Sequence, residues 1–513
     1  MSADESEPAL NESVRNLFKG ASLVGIGLIL DLGLSFVGKV AISRHLSADD
    51  FGLLVIGTAF VTAVMRLAPL GTNMGVVRNL PRYSDAKSRR EIARTAFITS
   101  IAAAIGISAL TAVFAGPISQ EILKQPRTEQ VLRIFALIAP LGVVMRMGIA
   151  LSRGDGRVLP RVAIDNVIEP VLRISLIGVV VFLGYGLLAG VYAFAIPYIV
   201  AGLLAGGLVL RRYLPPTNLL GPTRFRELLV FSLPLVVTSS MWLVIRDLDT
   251  FLIAAFSTSN RVAIYNVAYT LATLLTMPKS AVDFIGLPSL SELHAEERSE
   301  EFRRLFRTIR RWVTSVVTPM ILVMILLPSQ VIHSTFGPKY VGGALALQIV
   351  ATGIATYAVS GLGVSVLTSI GRTRSVMWMT ALAAATNLGL NLVLIPHFGT
   401  TGAAIATLAS YTILDICVLT IVYLETGVVM IDWEQAALLF IGFSVFAPAV
   451  VITRSVVPLG SIMWLVPFVF VCTSVYLLGI ARFVGGEEEL HIIKSIEDRF
   501  DVRIPLVKSL IRA

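Results

Sequence analysis

Seven cationic side chains, Lys39, Arg66, Arg133, Arg146, Arg173, Arg246 and Lys279, fall inside apolar stretches of the sequence. A charge at bilayer depth costs from about 3 to more than 10 kcal/mol, so it persists where it meets a partner, a bundle interior or a wet cavity. Arginine there suits a phosphate: its planar fork donates two parallel hydrogen bonds and it stays protonated when partly buried. Arg66, Arg146, Arg173 and Arg246 sit well inside their stretches, with Lys39 and Lys279 nearer an end. These six are the candidate ligands of an anionic group. Arg133 is close enough to an end to snorkel.

Seven acids share those stretches: Asp31, Asp165, Glu169, Asp247, Asp249, Asp283 and Asp415. Glu169 stands four residues before Arg173, and Lys279 four before Asp283, a spacing that puts each pair on one helix face. Both are expected to form ion pairs. Arg246 is followed by Asp247 and Asp249, which leaves Arg66 and Arg146 as the least neutralised cations. Asp31 has no basic residue within one turn. It is a candidate either to carry a coupling proton or sodium ion or to hydrogen-bond a neighbouring helix.

The elements that position these residues are membrane spans. The chain of 513 residues is 55% hydrophobic and 15% charged, with a mean hydropathy of +0.81, where a soluble domain carries about 25% charged residues. Apolar runs of the length that crosses a bilayer as a helix, about 20 residues, recur throughout and predict an all-α integral membrane protein of about fourteen transmembrane helices. The runs cover 21–43, 51–75, 95–115, 129–151, 162–185, 188–210, 228–256, 263–287, 312–333, 343–369, 375–396, 401–424, 435–456 and 460–482.

Charge sets the orientation. Cytoplasmic loops are enriched in Lys and Arg, and with the N-terminus inside, the inner loops collect Arg78, Arg82, Lys87, Arg89 and Arg90, then Arg153, Arg157 and Arg161, then Arg303, Arg304 and Arg307. The outer loops hold only Arg44, Lys124, Arg127, Arg261, Lys339 and Arg454. Both termini are therefore expected in the cytoplasm, in a cell membrane crossed many times. The net charge of +9 is a topology signal and implies no nucleic-acid partner. The acidic first dozen residues do not read as a cleavable leader.

No motif of hydrolytic or metal chemistry occurs: there is no phosphate-binding glycine loop ending in Lys-Ser/Thr, no His-Glu-x-x-His and no nucleophile elbow. Cys417 and Cys472 lie in apolar runs, and the five histidines are scattered. No enzyme activity, cofactor or metal is expected.

An internal repeat divides the spans. Gly156-Arg157 before the fifth span matches Gly371-Arg372 before the eleventh, and Gly190 at the start of the sixth matches Gly402 at the start of the twelfth, at nearly the same offset. The loop 47–54 falls near 257–265 under the same shift. Two parallel six-helix lobes are expected, the plan with which transporters bind substrate between halves. The organisation is a tail (1–20), an N-lobe (21–210), a cytoplasmic linker (211–227), a C-lobe (228–424), two further spans (435–482) and a C-terminal tail (483–513).

The run Asn387-Leu-Gly-Leu-Asn391-Leu-Val-Leu-Ile-Pro396-His-Phe-Gly399-Thr-Thr-Gly402-Ala-Ala-Ile-Ala406-Thr407 resembles the signature of the polysaccharide and lipid-linked oligosaccharide flippases of the multidrug/oligosaccharidyl-lipid/polysaccharide (MOP) exporter superfamily. Phe336-Gly-Pro-Lys-Tyr340, Ile264-Tyr265-Asn-Val-Ala-Tyr269 and Leu46-Ser-Ala-Asp-Asp-Phe51-Gly52 support it. The resemblance implies a two-lobed, fourteen-helix transporter that works by alternating access, with a lipid-linked sugar as cargo and glycan-assembly enzymes as candidate partners. A multidrug antiporter of the same superfamily would prefer an acidic, aromatic pocket. A membrane-embedded polymerase or glycosyltransferase would need a large external loop or a polar catalytic constellation. Within the motif, Pro396 is expected to end a helix, Gly399 and Gly402 to permit a reversal, and Asn387 and Asn391, one turn apart, to bond across helices.

Phe302, Leu305, Phe306 and Ile309 alternate at helical spacing with Arg303, Arg304, Arg307, Arg310 and Arg311. They predict a cytoplasmic helix lying on an anionic membrane surface, and 485–513 forms a second such candidate.

Overall fold

The computed structural model describes Gly27 and residues 30–157, 159–213, 225–429, 433–454 and 461–483; the two tails and most of the linker lie outside the described residues. Among these residues there is no strand. The helices are α1 (30–45), α2 (Ala48–Leu67), α3 (Thr72–Asn79), α4 (Ala86–Pro117), α5 (Thr128–Gly154), α6 (Glu169–Leu183), α7 (Leu187–Arg212) and α8 (Phe225–Phe256). They continue as α9 (Ser259–Thr273), α10 (Met277–Ala295), α11 (Ser299–Leu326), α12 (Pro328–Thr335), α13 (Ala344–Ser369), α14 (Thr373–Thr426), α15 (Trp433–Arg454) and α16 (Ile462–Phe483). A π-helical run, Arg161–Ile168, leads into α6. Ten helices among the described residues are long and apolar enough to cross a membrane.

Their outward faces require hydrocarbon. Phe182 is 88% exposed and Leu137 81%, and no soluble surface carries so many large apolar side chains in continuous belts. Hydroxyls inside the helices return their protons to the backbone, as Thr62 does to Thr58 O at 2.9 Å and Thr111 to Ile107 O at 2.9 Å, which lowers the cost of carrying them through hydrocarbon. The multi-pass membrane protein read from composition is the protein observed.

Local sequence sets the breaks. Ser47 caps α2 by accepting from Asp50 N, with Asp49 and Asp50 in the first turn, where the helix dipole favours negative charge. The expected second span, 51–75, is interrupted after α2 at Leu70 and Gly71, both with positive φ. The motif run is continuous in its hydrogen bonding but leaves helical geometry at Gly399, with φ 55° and ψ −128°. A Cβ on Gly402 would lie 2.3 Å from Leu394 O, whereas eight residues of straight helix span about 12 Å. The chain therefore reverses at Gly399, as the motif predicts.

The described chain packs as two compact units, one comprising residues up to Asn266 together with Thr380–Ala406, the other Val267–Met379 with the residues from Thr407 onward. In the first, α5 packs closely against α7 and α4. A Cβ on Gly202 would stand 2.5 Å from Leu141 O, and one on Gly52 would overlap Ser259 O at 1.9 Å, so small residues let backbones meet. In the second, α11 packs on α13 and α15, and Leu322, Phe446, Cys472 and Tyr476 form a buried cluster that fastens the last two helices.

One expectation is overturned here. The amphipathic stretch at 302–311 is the first part of α11 and continues into the span; Phe302 and Phe306 are buried in protein rather than laid on lipid. Arg303 Nε donates to Thr426 O at 3.2 Å and Arg310 Nη1 to Val429 O at 2.6 Å. The arginines thus hold the carbonyls that the end of α14 leaves open. The candidate at 485–513 lies outside the described residues.

Candidate functional site: the intramembrane charges

Five of the six candidate cations lie in the first unit, on α1, α2, α5, α6 and α8, and the structure gathers them around a few carboxylates. Arg173 is held by three groups: its Nη2 lies 3.0 Å from Glu169 Oε2, 3.0 Å from Ser35 Oγ and 3.9 Å from Asp31 Oδ1. The guanidinium also stands 5.8 Å from the centre of the Phe194 ring. Two prolines, Pro160 and Pro170, bracket the π-helical run before it, and the wider turn there directs Glu169 and Arg173 toward α1.

Asp31 has no basic residue within one turn of its own helix, but Arg173 reaches it from another helix, and Ser35 Oγ, one turn on, donates to it at 3.2 Å. The ion pair within α6 is the one the spacing predicts.

A second group centres on Asp247 of α8. Arg66 Nη1, from the last turn of α2, bonds its Oδ2, and Lys39 and Arg246 lie close enough to act on the same carboxylate. Arg66, expected with Arg146 to be among the least neutralised cations, is instead paired, by a partner 181 residues away that no local pattern marks. The side chains stay 33% and 22% exposed, so an anion can reach them. The guanidinium of Arg246 also stands 4.9 Å from the centre of the Trp242 ring. Successive helical residues turn by about 100°, which separates the directions of Arg246, Asp247 and Asp249.

Arg146 differs from both groups. It is exposed, between the buried Met145 and Met147 of α5, and among the described residues no carboxylate lies within ion-pairing distance. It is near enough to Asp31 and Glu169 to act on each. Lys39 feels both Arg173 and Asp247 and so links the two groups. Lys39, Arg66, Arg146, Arg173 and Arg246 thus share the interior of this unit with Asp31, Asp165, Glu169 and Asp247, while a fifth carboxylate, Asp249, is held by the neutral Asn391 and Tyr265.

Lys279 belongs to the second unit. It is buried, its Nζ 2.5 Å from Asp283 Oδ2 and 3.2 Å from Ser365 Oγ. Arg133 is exposed and paired with Glu129 at 2.7 Å. Asn387 and Asn391 are fully buried: Asn391 Nδ2 donates to Asp249 Oδ1 at 2.6 Å and to Asn387 Oδ1 at 2.9 Å, while Tyr265 OH donates to Asp249 Oδ2. This network joins α8, α9 and α14 by cross-helix bonds of the kind expected for the motif.

Sequence reasoning missed a polar hub at the end of α5. Asp155, its side chain 2% exposed, accepts from Arg89 Nη2, from Arg212 Nε at 2.7 Å and from Tyr213 OH. Burial acts to raise its pKa, but the hydrogen bonds from Tyr213 and Arg212 and the charges of Arg212 and Arg89 hold the carboxyl below the usual range. The signal was present only as a lone acid among inner-loop arginines.

Residues 41–344, more than half of the chain, match the polysaccharide biosynthesis protein family. The chain belongs to that family. This family member is 22% identical to the probable flippase AglR of Haloferax volcanii over 74% of its own length and 78% of the relative's. The family member's fold is shared with the lipid II flippase MurJ in an inward closed conformation, at a TM-score of 0.74 and 12% identity over 89% of this chain and 98% of that one. It also matches an inward-facing multidrug resistance MATE family transporter of the MOP superfamily, at a TM-score of 0.63 and 15% identity over 79% and 98%. The fold is that of MOP-superfamily transporters.

Proposed function

We propose that the protein is a flippase that moves a polyprenyl phosphate- or pyrophosphate-linked oligosaccharide, or a polysaccharide repeat unit, from the cytoplasmic to the outer leaflet of the cell membrane. The observation that carries this reading is the concentration of Lys39, Arg66, Arg146, Arg173 and Arg246 at membrane depth in one unit, with Arg146 exposed and unpaired among the described residues. The family, and the flippases it resembles in sequence and fold, support it.

In this mechanism the headgroup phosphate first meets Arg146, then exchanges with Asp247 for Arg66, with Lys39 and Arg246 supplying further charge. An arginine that swaps one oxyanion for another keeps its bidentate geometry, so the cations stay compensated when the site is empty and bind without being stripped of a partner. Arg173, already shared by Glu169, Asp31 and Ser35, holds the wall of the path, and Asp31 tunes its charge. The polyprenyl tail stays in lipid while the lobes alternate access. An inside-negative potential favours outward movement of each negative charge by about 2.3 kcal/mol per 100 mV.

The positive inner loops support a cytoplasmic position for both termini. The second reading, a multidrug antiporter, is favoured by the likeness to the MATE transporter. An organic cation would need open carboxylates, and here Glu169 and Asp247 are covered by arginine. The test is transport in reconstituted vesicles. Lipid-linked oligosaccharide should cross and be inhibited by free pyrophosphate, with no uptake of a fluorescent organic cation; uptake of the cation without lipid movement would reverse the assignment.

A further inference from the structure

Asp415 stands near the middle of the second arm of α14, in the second unit, 7% exposed. Ser360 Oγ of α13 bonds its Oδ1, and its Oδ2 has no hydrogen-bond partner among the described residues. The side chains that act on it, Ser360 and Thr356, are both neutral. No Lys, Arg or His nitrogen among the described residues lies within 4 Å of it. In this it differs from Asp31, Glu169, Asp247 and Asp283, each of which meets a cation.

The ionisable groups on the surrounding helices do not supply the missing charge. Tyr411 lies one turn before Asp415 on α14 and is tilted against Tyr357 of α13, with ring centres 5.1 Å apart. Lys279 and Asp283 come from α10, which packs on α13; the ammonium is shared among Asp283, Ser365 and the Tyr357 ring, 5.8 Å from its centre. From α11, also packed on α13, the buried Arg310 donates to Val429 O. A desolvated carboxylate with one bare oxygen is far costlier than the neutral acid. With a proton on Oδ1 the acid can donate to Ser360 Oγ, and Oδ2 becomes an uncharged carbonyl oxygen.

We infer that Asp415, seated between α13 and α14 against Ser360, is a proton-carrying site of the transport cycle, binding one proton in the state described and exchanging it with bulk water in another. One O–H bond forms as the proton is taken up and breaks as it is released, and no other group changes. The inference rests on the flippase reading for its role in transport, but the site has a substrate-independent signature. In the same second unit Lys279 stands 5.8 Å from the centre of the Tyr357 ring, which is tilted against Tyr411, the residue one turn before Asp415.

The test has two arms. In the purified protein at neutral pH, the infrared difference between wild type and Asp415→Asn should contain the band of one protonated carboxyl, and Ser360→Ala should shift that band upward, because the acid O–H loses its acceptor. In vesicles, a transmembrane pH difference should accelerate flipping by the wild type several-fold, and Asp415→Asn should lose that acceleration while keeping the basal rate; Asp415→Glu should retain part of it. Absence of the band, or unchanged acceleration in Asp415→Asn, overturns the inference. Acceleration by a sodium difference in place of a pH difference, lost in Asp415→Asn, overturns the proton and makes the site a sodium ligand. Failure of the wild type to flip any lipid-linked oligosaccharide, with the band present, overturns the flippase reading and leaves the proton site standing.

Discussion

The interiors of the two units differ in kind. Within the expected spans of the first, Lys39, Arg66, Arg146, Arg173 and Arg246 are interleaved with Asp31, Asp165, Glu169 and Asp247, several of them partly open to solvent. Those of the second hold Lys279, buried and committed to Asp283, and Asp415, which no described cation touches. The sequence repeat spans both regions through glycine-containing turns and span starts: Gly156 and Gly371 carry matching φ of 73° and 84°. In the proposed cycle the first interior serves an anionic cargo, and the second, nearly neutral, holds a single acid sensitive to protons.

Replacements in the first interior should have the largest effects. Arg66→Ala removes a charge-assisted contact to the headgroup, about 1.5–3 kcal/mol, and should slow flipping by roughly ten- to a hundredfold. Asp247→Asn should act oppositely, tightening headgroup binding at low salt because the phosphate no longer competes with a carboxylate for Arg66. If both variants weaken binding alike, Arg66 and Asp247 are a structural pair and the contrast between the interiors collapses.

In the second interior the pair should be replaceable as a unit. Lys279→Met with Asp283→Leu is expected to change flipping by less than about twofold and to leave stability unchanged or raised, since buried ion pairs are often matched by apolar residues of similar size. Lys279→Met alone leaves Asp283 uncompensated and should lower the melting temperature. A tenfold loss of flipping in the stable double variant would move Lys279 into the headgroup path and erase the difference between the units.

The smallest effect belongs outside both interiors, at Asp155. Its carboxyl is held below the ordinary range, so its contribution to stability is complete above the unfolded-state value, about 3.9, and is lost as pH falls through the lower folded-state value. The melting temperature of the wild type should exceed that of Asp155→Asn by a few degrees at neutral pH, and the gap should close only below about pH 4. A gap that closes near neutrality would point to a different titrating group.

Much of this was legible in the sequence because it depends on length, spacing or charge. The spans follow from apolar runs, the pairs Glu169–Arg173 and Lys279–Asp283 from a separation of four, and the reversal at Gly399 from Pro396, Gly399 and Gly402. The contacts that escaped are tertiary. Asp247 reaches Arg66, and Arg173 reaches Asp31, across separations that no helical period encodes. The amphipathic stretch from Phe302 was misplaced because an apolar face looks the same whether protein or lipid covers it. What decided it was the set of open carbonyls near Thr426, which Arg303 and Arg310 satisfy.

The central claim, that an exposed cation at membrane depth receives an anionic headgroup, is tested most directly at Arg146. Binding of a polyprenyl pyrophosphate oligosaccharide to the purified protein should weaken by about tenfold or more in Arg146→Ala, at 1.4 kcal/mol per decade, and partly recover in Arg146→Lys, which keeps the charge but loses the fork. The loss should shrink as salt is added. Wild-type affinity in a well-folded Arg146→Ala, at low and high salt alike, would contradict the account.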